Sequence, residues 1–249
     1  MNGLQQEIIF VLVRPLYPGN IGSVARVLKN FGFRRLVLIS PECELSDEAY
    51  KMAMHARDLL ENINTYSSIE EFIETEQVNY VIGTTARLGG DKNPKRNAIL
   101  SQEIREHPLP MGKIAILFGN EETGLTNEEI EFCDMLITIP TSEIYPVMNI
   151  SHALAVIAYE LALALGHQRK LPYRPSTPNE RKILIKYLHS LADLVLNDLD
   201  ENRKRIYKRI LENWVGRAFL TGREVHSLIG FTRRILARLK NLRHKKYGD

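Results

Sequence analysis

Three short stretches concentrate the side chains able to do chemistry. RPLYPGNIGSVAR (14–26) turns at Pro18-Gly19-Asn20, and Asn20 is placed to cap a helix that carries Arg26 almost two turns in. FGNEETGLT (118–126) is a loop flanked by glycines and holding two adjacent carboxylates, Glu121 and Glu122. IPTSEIYPVMNIS (139–151) ends at Asn149 and Ser151, either of which can open the helix that follows. The second stretch has the G-x-x-x-x-G-x-T spacing of a phosphate-binding loop. Leu125 nevertheless holds the lysine position, and the two glutamates would repel phosphate. That argues against nucleotide hydrolysis. No G-x-G-x-x-G follows a strand, no histidines have H-x-x-x-H or H-E-x-x-H spacing, and no G-x-S-x-G elbow appears. Dinucleotide binding, a metal site and a serine nucleophile are therefore not expected. An acidic loop bounded by glycine suits instead a neutral or cationic ligand carrying an aromatic base. Backbone groups bared at glycine can bond an adenine edge, with Ile139 and Met148 as apolar walls. Gly119 and Gly124 can equally be turn and helix-start residues and nothing more, and the residues alone leave both readings open.

The elements that must position these loops follow from periodicity. IIFVLV (8–13), RLVLIS (35–40), NYVIGT (79–84), IAILFG (114–119) and MLITIP (135–140) are short apolar runs of the kind buried on both faces of a parallel sheet. Between them GNIGSVARVLKNFG, DEAYKMAMHARDLLEN, SIEEFIETE, AILSQEIRE and TNEEIEFC read as helices, the last opened by a Thr126–Glu129 capping box. A nearly all-apolar helix runs from about Asn149 to Leu165. This alternation predicts a doubly wound α/β domain with a mainly parallel sheet, whose ligand lies at the carboxyl edge of the strands. The three loops sit at that edge.

Residues 168–179 (QRKLPYRPSTPN) carry three prolines and read as a linker. Beyond it, 180–249 predicts a small three-helix domain. Its apolar stripes are Leu184/Leu188/Leu191/Leu194/Val195, Ile206/Ile210/Leu211/Trp214/Val215 and Val225/Leu228/Ile229/Ile235/Leu236/Leu239, all read as core, the last opened by Thr221 and Glu224. The net charge of +3 conceals a division. Residues 1–169 hold 14 Lys/Arg against 22 Asp/Glu, whereas 170–249 hold 19 against 8. A net of +11 on so short a tail points to a polyanion such as nucleic acid. With 44% hydrophobic and 25% charged residues the chain is an ordinary globular one. No apolar run approaches the roughly 18–20 residues that span a bilayer. MNGLQQE lacks the features of a secretory signal, and Cys43 and Cys133 have no pairing pattern. A cytoplasmic protein without disulfides is expected.

Taken together, PGNIGSVAR, GTTAR (83–87), FGNEETGLT and the IP…Y-x-x-MN stretch resemble, in order and spacing, the motifs of the SPOUT superfamily of RNA methyltransferases. Within it they are similar to the TrmJ-type group of tRNA 2′-O-methyltransferases, and RAFLTGREVHSLIGF (217–231) looks like that group's C-terminal helical region. The resemblance implies an α/β fold with a C-terminal trefoil knot over 1–167, S-adenosylmethionine as cofactor, tRNA as substrate, and a homodimer whose active site is shared. The cofactor positions it implies are Thr84, Thr85, Ala86, Gly119, Ile139, Pro146, Val147 and Met148. The catalytic positions are Asn20, Arg26, Glu121 and Asn149. Because a guanidinium stays protonated, Arg26 is expected to orient the acceptor's phosphate and stabilise a developing alkoxide rather than take a proton. Pro146-Val147 replaces the small hydroxyl residues that follow the tyrosine in bacterial members, as in archaeal-type members. That implies a cytidine preference at the first nucleotide of the anticodon loop. Methylation of ribosomal RNA or of another tRNA ribose, and RNA binding without catalysis, are the alternatives.

Overall fold

The computed structural model describes residues 6–89, 96–106, 109–167 and 171–247. The start of the MNGLQQE segment and residues 168–170 of the expected linker lie outside them. The chain divides into two compact units, 1–168 and 169–249.

In the first unit the elements run β1 (Glu7–Val13), α1 (Pro18–Asn30), β2 (Leu36–Ile39), α2 (Asp47–Ala53), α3 (Arg57–Glu61), β3 (Asn64–Tyr66), α4 (Ile69–Glu76), β4 (Tyr80–Thr84), β5 (Ala98–Leu100), β6 (Lys113–Phe118), α5 (Asn127–Ile130), β7 (Met135–Thr138) and α6 (Ile150–Ala164). The strands form one sheet in the order β3-β2-β1-β6-β4-β7-β5, and every pairing is parallel. Residues 8–13 are all buried because alternate side chains enter different cores. Phe10 and Leu12 pack with Ile21, Leu28, Leu154 and Ile157 on one face, and Ile9, Val11 and Val13 pack with Ile69, Phe72 and Ile130 on the other. From β1 the chain winds first toward β2 and β3, then crosses to β4 on the far side of β6. The order thus reverses beside β1 and β6, whose carboxyl ends carry the 14–26 and 118–126 loops.

Two expectations for this unit need correction. AILSQEIRE is not a helix: 98–100 form edge strand β5 in register with Leu136–Thr138, followed by a 3-10 turn over 101–105. Three-residue strands such as β3 and β5 are too short to show a period, and pairing at the sheet edge decides them. The expected 47–62 helix is broken at Met54, whose φ of 52° ends α2 before a 3-10 turn leads into α3.

In the second unit α7 (Pro178–Val195), α8 (Glu201–Arg217) and α9 (Gly222–Tyr247) surround a small core of Leu184, Val215 and Val225. The first of these helices begins within the stretch read as linker, with Pro178 in its first turn and a Thr177–Glu180 capping box. The stripe expected to be core on α8 is largely exposed. Val215 is buried and Leu211 half-buried, whereas Ile206, Ile210 and Trp214 face solvent. Lys208 pairs with Asp193 at 2.6 Å and Glu212 with His189 at 3.3 Å, so the polar edge of α8 is the one turned toward α7. Val195 is likewise exposed. No described helix is long and apolar enough to cross a membrane.

Candidate active site

The carboxyl edges of β4, β6 and β7 surround a cavity of about 850 Å³, including its open mouth. Thr84, Thr85, Ala86, Gly119, Ile139, Pro146, Val147 and Met148 all line it, and so does Glu121. Ile137, Ile150 and Leu125 extend its apolar wall. The Thr84 hydroxyl donates to the Leu117 carbonyl (2.9 Å), tying β4 to β6 at the rim. Thr85 Oγ1 accepts from the Arg87 N–H at 3.1 Å and turns the chain there. Thr141 Oγ1 donates to the Pro146 carbonyl (2.9 Å) and closes the base of the 139–149 loop.

The 118–126 loop owes its shape to Asn120, which is 5% exposed. Its amide donates to the Arg14 carbonyl (2.9 Å), and its oxygen accepts from the N–H groups of Glu122 (2.9 Å) and Thr123 (3.2 Å). At Gly119 a Cβ would lie 2.1 Å from the Leu125 nitrogen, and Gly124 has φ +69°. Both glycines are thus required by the backbone, one for close approach and one for a left-handed turn. Arg14, itself at φ 51°, pairs with Glu129 (2.7 Å) and donates to the Gly124 carbonyl (3.3 Å). Glu129 also caps the N–H of Thr126 at 2.7 Å. That bonded carboxylate holds the Arg14 guanidinium above its ordinary pKa.

One hydrogen-bond relay joins the three loops. Glu121 accepts from the Leu16 N–H (2.9 Å) through one oxygen and from the Asn20 amide (3.0 Å) through the other. Asn20 Oδ1 accepts from the Asn149 amide (3.1 Å), and Asn149 Oδ1 accepts from the N–H (2.9 Å) and hydroxyl (2.7 Å) of Ser151. The polarity is dictated at both ends. A carboxylate can only accept, so Asn20 must turn its NH2 toward Glu121. The free N–H at the start of α6 can only donate, so Asn149 must turn its oxygen there. Asn149 is therefore both the N-cap of α6 and the last member of the relay. Asn20 is not a cap, contrary to expectation. The N-cap position of α1 is Tyr17, Pro18 starts the helix, and the Asn20 side chain is free to join Glu121.

Arg26 stands apart from this cluster. It is exposed on α1, outside the cavity lining, and has no ion pair or hydrogen bond among the described residues. Six residues of helix carry it about 9 Å along the axis from Asn20. Arg87 and Arg96, not singled out in the sequence, also line the cavity. Arg96 is held by Asn127 (2.9 Å) and the Leu125 carbonyl (3.2 Å). The Arg87 residue of GTTAR was visible as a cation after a strand end, whereas Asn120 and Arg14 gave no signal beyond proximity to a glycine loop. Nearby, burial pushes the Cys133 thiol up to about 12, which keeps it protonated and unreactive.

A partly apolar slot with Glu121 of the relay in its lining and two arginines on its wall can take a small organic cation that also carries a carboxylate, and present it to a second molecule at the rim. Residues 7–159 match the model of the SpoU rRNA Methylase family. The chain is 40% identical over 225 residues to the tRNA (cytidine-2′-O-)-methyltransferase TrmJ of Methanocaldococcus jannaschii, covering 89% of this chain and 96% of that protein. Among solved structures, TrmJ from Z. mobilis has the same fold, with a TM-score of 0.64, 24% identity and coverage of 92% of this chain and 98% of that one. The SpoU methyltransferase AviRb from Streptomyces viridochromogenes, crystallised with AdoMet, shares the fold over 68% of this chain and 63% of its own, with a TM-score of 0.53 and 19% identity.

Proposed function

The chain belongs to the SpoU rRNA Methylase family, and on that premise we propose that it transfers a methyl group from S-adenosylmethionine to a ribose 2′-hydroxyl of tRNA. The observation that carries this reading is the Glu121–Asn20–Asn149 relay, which reaches the lining of a partly apolar cavity through Glu121. The residues present fit the cofactor. Ile139, Val147 and Met148 offer an apolar wall, and the 118–126 backbone offers polar groups for a base edge. Glu121 and Glu122 tolerate a cation that a phosphate-binding loop would not, and Arg87 can meet a carboxylate. When bound, S-adenosylmethionine supplies an electrophilic methyl that passes to the ribose oxygen with release of a neutral thioether.

The chain's own groups orient the acceptor. Glu121 holds Asn20 and Asn149 rigid, so that polar groups at the rim keep the ribose in register. The Arg26 guanidinium anchors the acceptor's phosphate and stabilises the alkoxide as the hydroxyl proton passes to solvent water. Since Arg26 lies outside the cavity of its own chain, the reading includes a homodimer in which a second copy supplies Arg26. The face of α6 bearing His152, Ala155, Val156, Tyr159 and Leu163 is apolar and only partly covered, which supports such pairing. Family membership supports a trefoil knot in the C-terminal part of the 1–167 methyltransferase domain. The basic 180–249 domain binds the tRNA, and cytidine at the first anticodon-loop nucleotide is the proposed target, in the cytoplasm.

Purified protein incubated with labelled cofactor and bulk RNA, followed by mass spectrometry of the nucleosides, tests this. 2′-O-methylcytidine in tRNA is expected. Label confined to ribosomal RNA would move the reaction to that substrate, and RNA binding without label would leave only a binding protein.

A further inference from the structure

The second unit exposes what its sequence pattern assigned to the core. Arg203, Ile206, Tyr207, Ile210, Trp214 and Arg217 recur at three- and four-residue intervals and so form one face of α8, about 20 Å long. Ile206 is 60% exposed, Tyr207 48%, Ile210 53% and Trp214 51%. The adjoining side of the helix, with Val215 in the small core and Leu211 half-buried, is already turned into the unit. An apolar stripe of this length on an otherwise charged helix is unusual unless something covers it.

Charge decides what covers it. The helix carries six Lys/Arg against two Glu, and an arginine stands at each end of the stripe, Arg203 at 3.5 Å from the Asp200 carboxylate and Arg217 without an ion pair among the described residues. Two copies meeting through this face would set these cations against one another, which disfavours self-association. A polyanion would neutralise them. Tyr207 and Trp214 are flat rings about two helical turns apart, each able to take the π-face of one base. Bases inside a duplex are already stacked, whereas those of a loop are free to be taken up. Resting on the proposed tRNA reading, we infer that the exposed face of α8 is a stacking platform for unpaired bases of the substrate RNA, with Arg203 and Arg217 on the flanking phosphates.

Trp214 is the chain's single tryptophan, so its fluorescence reports on this face alone. The full-length protein is titrated with a tRNA transcript, with an RNA stem-loop, and with a fully paired RNA duplex of equal length. Methyl transfer to tRNA and sedimentation are measured in parallel. Quenching by tRNA and stem-loop but not by duplex is expected. With stem-loop binding of the variants followed by co-sedimentation, since the Trp214 variants lack the fluorophore, Trp214→Ala or Tyr207→Ala should each weaken it by about 5- to 100-fold, and Trp214→Phe should restore most of it. Equal quenching by duplex and loop, or unaltered affinity in both alanine variants, would overturn the platform while leaving tRNA methylation intact. A fall in sedimentation coefficient in Trp214→Ala would overturn it differently, making the face a contact between copies. Failure of the unaltered protein to bind or methylate tRNA at all would remove the functional reading on which the platform rests.

Discussion

A guanidinium does not titrate in the range where proteins work, so an arginine in this reaction can only position and stabilise. Arg26→Ala is therefore expected to lower kcat for methyl transfer by about 100-fold or more while leaving the dissociation constant of S-adenosylmethionine within about twofold. Calorimetric titration of the cofactor beside single-turnover transfer checks the split, and a collapse of cofactor binding would show Arg26 in the wrong role. Residue type drew attention to the loops that hold Arg26, Asn20, Glu121 and Asn149, and the family resemblance made those four the catalytic candidates. It did not reveal that Asn20 and Asn149 bond each other, because 129 residues separate them. Nor did it show that Asn120, buried and bonded to Arg14, shapes the acidic loop. Helix capping explained both asparagines locally, and for Asn20 that explanation was incorrect.

At the scale of elements, backbone geometry in the 118–126 loop governs the cavity. Gly119→Ala would drive a methyl group into the Gly124 and Leu125 backbone, which cannot yield as a flexible side chain does. Cofactor affinity is expected to fall by about tenfold or more, with the sheet and its far-ultraviolet signal intact, since a misplaced loop forfeits oriented backbone bonds. Isothermal titration of the variant checks this. The helical unit has an electrostatic clasp of its own. Arg174 donates to both oxygens of Glu180 (2.6 and 2.8 Å), and Thr177 and His226 also bond that carboxylate. The Arg174 hydrogen bonds, followed by the Thr177 N–H, hold Glu180 well below the usual carboxylate range. A depressed folded pKa means stability that is present above the unfolded value near 4 and lost as pH falls below it. Thermal melts of the full chain followed at 222 nm should lose stability between about pH 5 and pH 3, and Glu180→Gln should lose less over that interval. Equal pH dependence in the two proteins would place the clasp outside the stability balance.

For the whole molecule, the proposed sharing of a site between copies makes a prediction that no single-chain arrangement shares. Arg26→Ala and Asn149→Ala are each expected to be nearly inactive. When they are unfolded together and refolded as a mixture, half the dimers are mixed, and each of those contains one intact site. About a quarter of wild-type activity should return. No recovery on mixing would mean that each chain must supply its own Arg26.

The apolar runs, the capping boxes and the charge division along the chain are local or additive properties, and they sufficed for a parallel α/β unit with a basic helical appendage. Strand order, the edge strands β3 and β5, and the break at Met54 came from pairing and packing between distant residues, which periodicity does not encode. The face of α8 turned to solvent was decided in the same way. An amphipathic helix offers more than one side to a neighbour, and ion pairs with α7 chose the side that left Trp214 exposed. The relay across three loops likewise exists only once the sheet has brought the ends of its strands together.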